Sequence, residues 1–307
     1  MPPRPDTESV LGRLIAFDTT SSESNLPLVD YLSDLLDRPG VEIRRYGDET
    51  KQNLLVRIGP PCEACRGLML CGHTDTVPAG DAWSSDPFAL TDGGDRWLGR
   101  GTCDMKGFLA LAAECALDVD PEDLAAPLVL LFTYDEEIGS LGARDLCEAF
   151  EDPAELPRAT VVGEPTQLRA VRAHKGHLRA AVVFEGVSAH SGYPHRGANA
   201  IEAAGCGITA LAALARELAA ERPAGGELFP EVPYEALNLG RIEGGEAVNV
   251  VPAHCRLEIG IRLLPGSDPE RLLERVRETL EGLGLETPWR LELGRLSPPL
   301  ETAAESR

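Results

Sequence analysis

Basic residues are scarce in this chain: 29 Lys and Arg stand against 50 Asp and Glu in 307 residues, a formal charge of -21. Long-range electrostatics would oppose every approach to a phosphate backbone or an anionic bilayer, so nucleic acid and membrane are excluded as partners. No apolar run approaches the roughly 20 residues needed to cross a bilayer. The opening residues, MPPRPDTESV, hold neither an apolar core nor a small-residue cleavage pattern. The eight cysteines fall at irregular intervals, without a disulfide framework. A cytoplasmic, reduced protein is the expectation. Cys62-Glu63-Ala64-Cys65 is a lone CxxC on a Pro-flanked loop, and with no second pair its reading is incidental rather than zinc or redox. What is present is a 43% hydrophobic composition, enough in a chain of this length for a large core and two domains.

Hydrophobic periodicity predicts an N-terminal amphipathic helix over 8–17, then short apolar, β-rich runs at 53–58, 67–71, 127–133 and 159–162 with helical stretches at 106–117 and 141–150. This alternation is that of an α/β sheet, and each run reads as a buried strand. From His174 the order becomes strand (177–185), helix (198–218), two strands (235–243 and 254–263), helix (268–283) and strand (289–293), a β-α-β-β-α-β sequence that predicts a ferredoxin-like module. A Pro/Gly-rich loop over 221–233 interrupts it.

Four motifs carry chemistry. In CGHTDTVP (71–78), His73 and Asp75 are two apart and face the same way in extended backbone, so His73 can bind a metal while Asp75 accepts its other ring N–H. An ordinary strand-end histidine beside a turn aspartate fits the same residues. In RGTCDMKG (100–107), a glycine-flanked Asp104 opens a helix; it is either a helix cap or a carboxylate bridging two metal ions. Asp135, Glu136 and Glu137 follow the run LVLLFTY, as a solvated acidic turn or as acids kept ionised by a cation, Glu137 as ligand and Glu136 as general base. In VVGEPT (161–166), Glu164 sits at another predicted strand end, where a surface turn residue is the plainer reading. His73, Asp104, Glu137 and Glu164 together fall at the carboxyl edge where open α/β sheets bind ligands. One imidazole with three carboxylates suits Zn²⁺, Co²⁺ or Mn²⁺. Cys103 reads as a small residue filling a tight turn, and Trp83 and Phe88 read as core or pocket lining.

Taken in order and spacing, GHTDTVP, GRGTCDMKG, DEEIGS and GEPT resemble the co-catalytic metallohydrolases that include aminoacylases, carboxypeptidase G, succinyl-diaminopimelate desuccinylases and acetylornithine deacetylases. DMKGF, RGANAIE, LNLGRIEGGEAVNVVP and IRLLPG look most like the acetylornithine deacetylases. The resemblance spans essentially the whole chain. It implies a mixed-sheet α/β zinc-peptidase-like catalytic domain (1–173), an inserted ferredoxin-like α+β lid and dimerisation domain (174–287), and a return to the first domain (288–307). It further implies two divalent metal ions, His73, Asp104 and Glu164 on one and Asp104 and Glu137 on the other, with Asp75 orienting His73 and Glu136 moving protons. His190, in VSAHSGYPH, would stabilise the oxyanion; a satisfied loop histidine is its plain alternative. Asn249 and Arg262 match substrate-contacting positions, the guanidinium fork being suited to a carboxylate; for Arg262 a cap on a surface strand is the plain alternative. The implied reaction is removal of an N-acyl group from a small amino acid by a homodimer joined through the lid.

The pattern of that family ends with a further helix, strand and late histidine, whereas no histidine follows His254 here. The second metal is therefore expected to lack a ligand, and the first sheet to keep an unpaired edge with exposed apolar surface. A desuccinylase, a dipeptidase, or a shortened and poorly active chain acting only through its dimerisation module are the remaining readings.

Overall fold

The computed structural model describes residues 5–64, 66–150 and 152–303. The chain divides into two compact units, Met1–Arg169 and Ala170–Arg307.

In the first unit, helix α1 (Thr7–Ile15) begins at Asp6, whose carboxylate accepts the backbone N–H of Ser9. Its buried stripe is Val10, Leu11, Leu14 and Ile15. Helix α2 (Leu26–Leu36), with proline in its first turn, repeats the pattern through Leu28, Val29, Leu32 and Leu36. The sheet that these helices cover has strands β1 (Val41–Gly47), β2 (Gln52–Ile58), β3 (Leu68–His73), β4 (Leu128–Thr133) and β5 (Ala159–Val162), in the order β1-β2-β4-β3-β5. Neither α2 nor β1 is among the elements that periodicity predicts.

Successive residues of β2 and β4 point to opposite faces, and the chemistry follows the pleat. Leu54, Val56, Ile58, Leu128, Leu130 and Phe132 join α1, α2 and helix α3 (Gly107–Asp118) in the main core. Leu55, Val129 and Leu131 pack with Leu146 of helix α4 (Leu141–Ala149) on the other side. The result is a three-layer sandwich. β4 is buried along its whole length, as its unbroken apolar run predicts. The expectation of burial fails for β5, where every residue is exposed, Val161 by 48% and Val162 by 57%. The physical reason is that β5 is the last strand of the sheet, hydrogen-bonded to β3 alone.

Strands β3, β4 and β5 run parallel, with His73 opposite Thr133 and Cys71 opposite Val162. Their carboxyl ends therefore lie side by side, β3 in the middle. This placement builds the site.

The second unit holds β6 (Gly176–Glu185), α5 (Ala200–Ala220), β7 (Ala236–Gly244), β8 (His254–Leu263), α6 (Pro269–Glu281) and β9 (Trp289–Ser297). The sheet order is β7-β8-β6-β9, antiparallel throughout, the ferredoxin-like arrangement expected from the element order. Leu178, Ala180, Val182 and Phe184 of β6 point toward the helices, and Gly207 of α5 leaves room for the Phe184 ring, which would lie 2.8 Å from an added Cβ. The expected return of residues 288–307 to the first domain differs from what is observed: β9 pairs along β6, with Trp289 and Leu291 packed on the second core, and Leu300–Glu301 pairs with Ala173–His174. Helix α5 is long and apolar enough to cross a bilayer by length and composition, contrary to the reading that no run is. Here its stripe of Ala203, Ala204, Gly207, Leu211, Leu214 and Leu218 is buried in the second unit.

Cys71, Cys103, Cys115, Cys147, Cys206 and Cys255 are free thiols. Cys65 of the CxxC lies outside the described residues.

Candidate metal centre

His73 is the last residue of β3 and is buried. Its Nδ1 lies 2.9 Å from the carbonyl oxygen of Asp75 and 3.5 Å from Asp75 Oδ1. Spacing alone predicts the carboxylate as partner; the nearer acceptor is the backbone oxygen, because the chain turns just after the strand. Either contact places the ring proton on Nδ1 and leaves the lone pair on Nε2. Nε2 faces Asp104 Oδ1 at 3.0 Å and Glu164 Oε1 at 3.8 Å.

Asp104 comes from a tight turn (Thr102–Lys106) that opens α3. Gly101 enters it at φ +86, a backbone that L side chains rarely adopt, and the Asp104–Met105 peptide is cis. Below the turn, Met105 is buried against β3, the His73 N–H lying 3.2 Å from its sulfur. Lys106 is also buried; its ammonium donates to the carbonyls of Leu14 at 3.0 Å and Phe17 at 2.8 Å, tying the turn to the end of α1. Burial pushes this amine down to about 8.

Glu164 follows β5 through Gly163, which lies so close to Phe108 that an added Cβ would fall 2.0 Å from the ring. Glu136 and Glu137 belong to the turn after β4. Their backbone N–H groups donate to the two oxygens of Asp75, at 2.9 and 3.2 Å, and Ser21 Oγ donates to Asp75 Oδ2 at 2.8 Å. The buried Asp75 carboxylate thus has donors on both oxygens.

The electrostatics are those of crowded anions. Burial, then the charge of Asp104, raises the carboxyl groups of Glu137 and Glu164 above the ordinary range. Burial opposes the charged form of His73, but the Asp75 hydrogen bond and charge, with Glu136 and Glu164, raise it to about 9. Asp75 is held below its usual value: burial works against this, while hydrogen bonds from His73, Glu136 and Ser21 outweigh it.

His73, Asp104 and Glu164 present ligand atoms that all lie within 4.8 Å of one another. Glu137 stands outside this set, within electrostatic range of Asp104. An imidazole nitrogen set against the carboxylates of Asp104 and Glu164, where a proton or a cation must lie between them, is a donor set that fits a divalent cation of the Zn²⁺ class. It has no thiolate among the described ligands.

The remaining predicted residues lie in the second unit. His190 is exposed on a short strand (Ala189–His190) paired with Val250–Val251. Its Nδ1 accepts the Gly192 N–H at 3.0 Å, which places a donor proton on Nε2. Asn249 is its neighbour, the Ser191 N–H donating to the Asn249 carbonyl at 3.0 Å. Arg262 is apart from this pair: it lies near the carboxyl end of β8, away from His254, and pairs with His177 of β6. Trp83 packs under the Arg100 guanidinium, 5.3 Å from its ring centroid, and donates to the Ala79 carbonyl.

Ser21 and Lys51 are residues that motif spacing does not single out, and Asp135, read only as one of three consecutive acids, has a lysine partner that spacing does not show. Ser21 meets Asp75 from 54 positions away, and Lys51 meets Asp135 from 84.

Residues 172–288 match the family described as a peptidase dimerisation domain. The acetylornithine deacetylase of Pectobacterium carotovorum subsp. carotovorum is 39% identical over 289 residues, 93% of this chain and 73% of that protein. The crystal structure of an M20 family metallo-carboxypeptidase from Sulfolobus solfataricus matches with a TM-score of 0.75 at 19% identity, covering 98% of this chain and 80% of that one. A dinuclear metal-binding peptidase of the M20 family from Bacillus subtilis matches with a TM-score of 0.62 at 16% identity, covering 97% and 75%. At such identities the two structures speak for the fold.

Proposed function

The chain belongs to the acetylornithine deacetylase family of metal-dependent amidohydrolases, and from that premise we propose that it converts N2-acetyl-L-ornithine to L-ornithine and acetate in arginine biosynthesis, as a cytoplasmic homodimer joined through the second unit. The observation that carries this reading is the meeting of His73, Asp104 and Glu164. In it His73, Asp104 and Glu164 would hold one cation, and Asp104 with Glu137 would supply part of the shell of a second, of Zn²⁺, Co²⁺ or Mn²⁺. Such ions, when bound, polarise an acyl carbonyl and make water a stronger acid.

The chain's own residues supply the rest. Glu136 takes a proton from the attacking water and returns it to the departing amine. Asp75 keeps the His73 ring in the tautomer that leaves Nε2 free. His190, with its proton on Nε2, donates to the oxyanion as the carbonyl becomes tetrahedral. Asn249 and Arg262 contact the substrate, Arg262 through the carboxylate.

The experiment is a panel of N-acyl amino acids and dipeptides offered to the purified chain with Zn²⁺ or Co²⁺. Highest kcat/KM on N2-acetyl-L-ornithine is the expected result. Preference for a succinylated diamino acid or a dipeptide replaces the substrate, and hydrolysis of none removes the reading.

A further inference from the structure

The turn that carries Glu136 and Glu137 begins at Asp135, a non-glycine residue at φ +53. That left-handed backbone is uncommon for a residue with a side chain, although aspartate tolerates it better than most. The Asp135 side chain is 8% exposed and ion-paired with the ammonium of Lys51, itself 17% exposed. The same ammonium donates to the carbonyl of Ser21.

Lys51 arrives from the hairpin turn between β1 and β2. There Asp48 Oδ1 accepts the N–H groups of Thr50 at 2.6 Å and Lys51 at 2.9 Å, and Asp48 N–H donates to the Lys51 carbonyl at 2.9 Å. The contacts close a ring. Lys51 holds Asp135 and Ser21; Ser21 donates to Asp75; Asp75 accepts from Glu136 and Glu137, which follow Asp135 in the chain. The ammonium is engaged with Asp135 and Ser21 rather than with the acids of the candidate centre.

We propose that Lys51 and Asp135 form a partly buried brace that fixes the acidic turn, Lys51 being a positioning residue for Glu136 and Glu137 that never meets the substrate. The proposal rests on the reading of the metal centre given above. Removing one partner leaves the other as an uncompensated charge in a mostly dry pocket. The turn then relaxes and carries both carboxylates away from their places, where a displacement of about 1 Å is enough to cost up to about 10²-fold in rate.

The test uses the full chain with Lys51→Met, Lys51→Arg, Asp135→Asn and the double variant Lys51→Met/Asp135→Asn. Each is stripped with chelator, titrated calorimetrically with Zn²⁺, and assayed on N2-acetyl-L-ornithine, with folding checked by circular dichroism. For Lys51→Met the expected result is kcat lower by about 10- to 100-fold with KM within about threefold, and Zn²⁺ affinity weaker by about 10-fold. Lys51→Arg restores most of both. The double variant is no worse than the worse single, because the two act as one unit. If Lys51→Met does not fold, the decision passes to Lys51→Arg and the double variant, which leaves no unpaired charge. Folded variants with the parent's kcat and Zn²⁺ affinity, or single losses that multiply in the double, overturn the brace alone. A parent chain that binds no Zn²⁺ overturns the centre, and the brace with it.

Discussion

Asp75 holds His73 and Glu136 at once: its carbonyl oxygen lies 2.9 Å from His73 Nδ1, and its Oδ1 accepts the Glu136 N–H at 2.9 Å. One buried residue thereby sets both the direction of an imidazole lone pair and the backbone of the acidic turn. Asp75→Asn keeps the shape but turns an NH₂ group toward donors that need an acceptor. Zn²⁺ affinity is expected to fall by about 10- to 100-fold, measured by competition with a chromophoric chelator. Undiminished affinity would mean that the carboxylate takes no part in orienting His73 and that the backbone oxygen, 2.9 Å away, does so alone.

Glu136 is placed by that same backbone contact, yet stands outside the set of converging ligand atoms. Glu136→Gln is therefore expected to bind Zn²⁺ as the parent does and to lose about 10²- to 10⁴-fold in kcat. Metal analysis beside hydrolysis of N2-acetyl-L-ornithine checks it. Equal turnover by parent and variant contradicts its role as base.

Metal removal carries a pH signature. In the cation-free chain, burial and then Asp104 raise Glu137 and Glu164, and His73 stands at about 9 against an ordinary 6.5, despite burial, through Asp75. All three bind protons more tightly folded than unfolded. The stability they contribute is full below the unfolded values and is lost as pH rises through the folded ones, for His73 between 6.5 and about 9. A divalent cation displaces those protons and takes their place, and it does so more easily as they leave. The gain in Tm from saturating Zn²⁺ over the chelated chain should widen steadily from pH 6.5 to 9. A gap that stays level or narrows would mean that the cation does not displace the His73 proton.

The four candidate ligands were readable because each stands beside a strong local signal. His73 ends an apolar run, Glu137 and Glu164 follow two more, and Asp104 sits between glycines at a helix start. Topology then does what local signals promise, setting the ends of β3, β4 and β5 together. Other features were hidden for physical reasons. β1 sets Glu42, Arg44 and Arg45 among Val41, Ile43 and Tyr46 and so has no apolar run to notice. β5 has the composition of a buried strand, but composition does not say whether a neighbour covers it. Lys51 and Asp135 look like surface charges until folding brings them together across 84 positions.

The last candidate ligand depends on a missing side chain. Gly163 carries the chain from β5 into Glu164 against the ring of Phe108, with no room for a methyl group. Phe108 belongs to the first turn of α3, four residues after Asp104, and packs on the main core. In Gly163→Ala the methyl forces either the ring into an already dense core, typically at about 1–3 kcal/mol, or the Glu164 segment outward from His73. The second route is open because β5 is exposed and paired on one side only. Gly163→Ala should therefore weaken Zn²⁺ binding more than it lowers Tm. Adding Phe108→Leu, which frees the space beneath the methyl, should restore the affinity while lowering Tm through the smaller core side chain. If the double variant binds no better than Gly163→Ala, the contact with Phe108 is not what places Glu164.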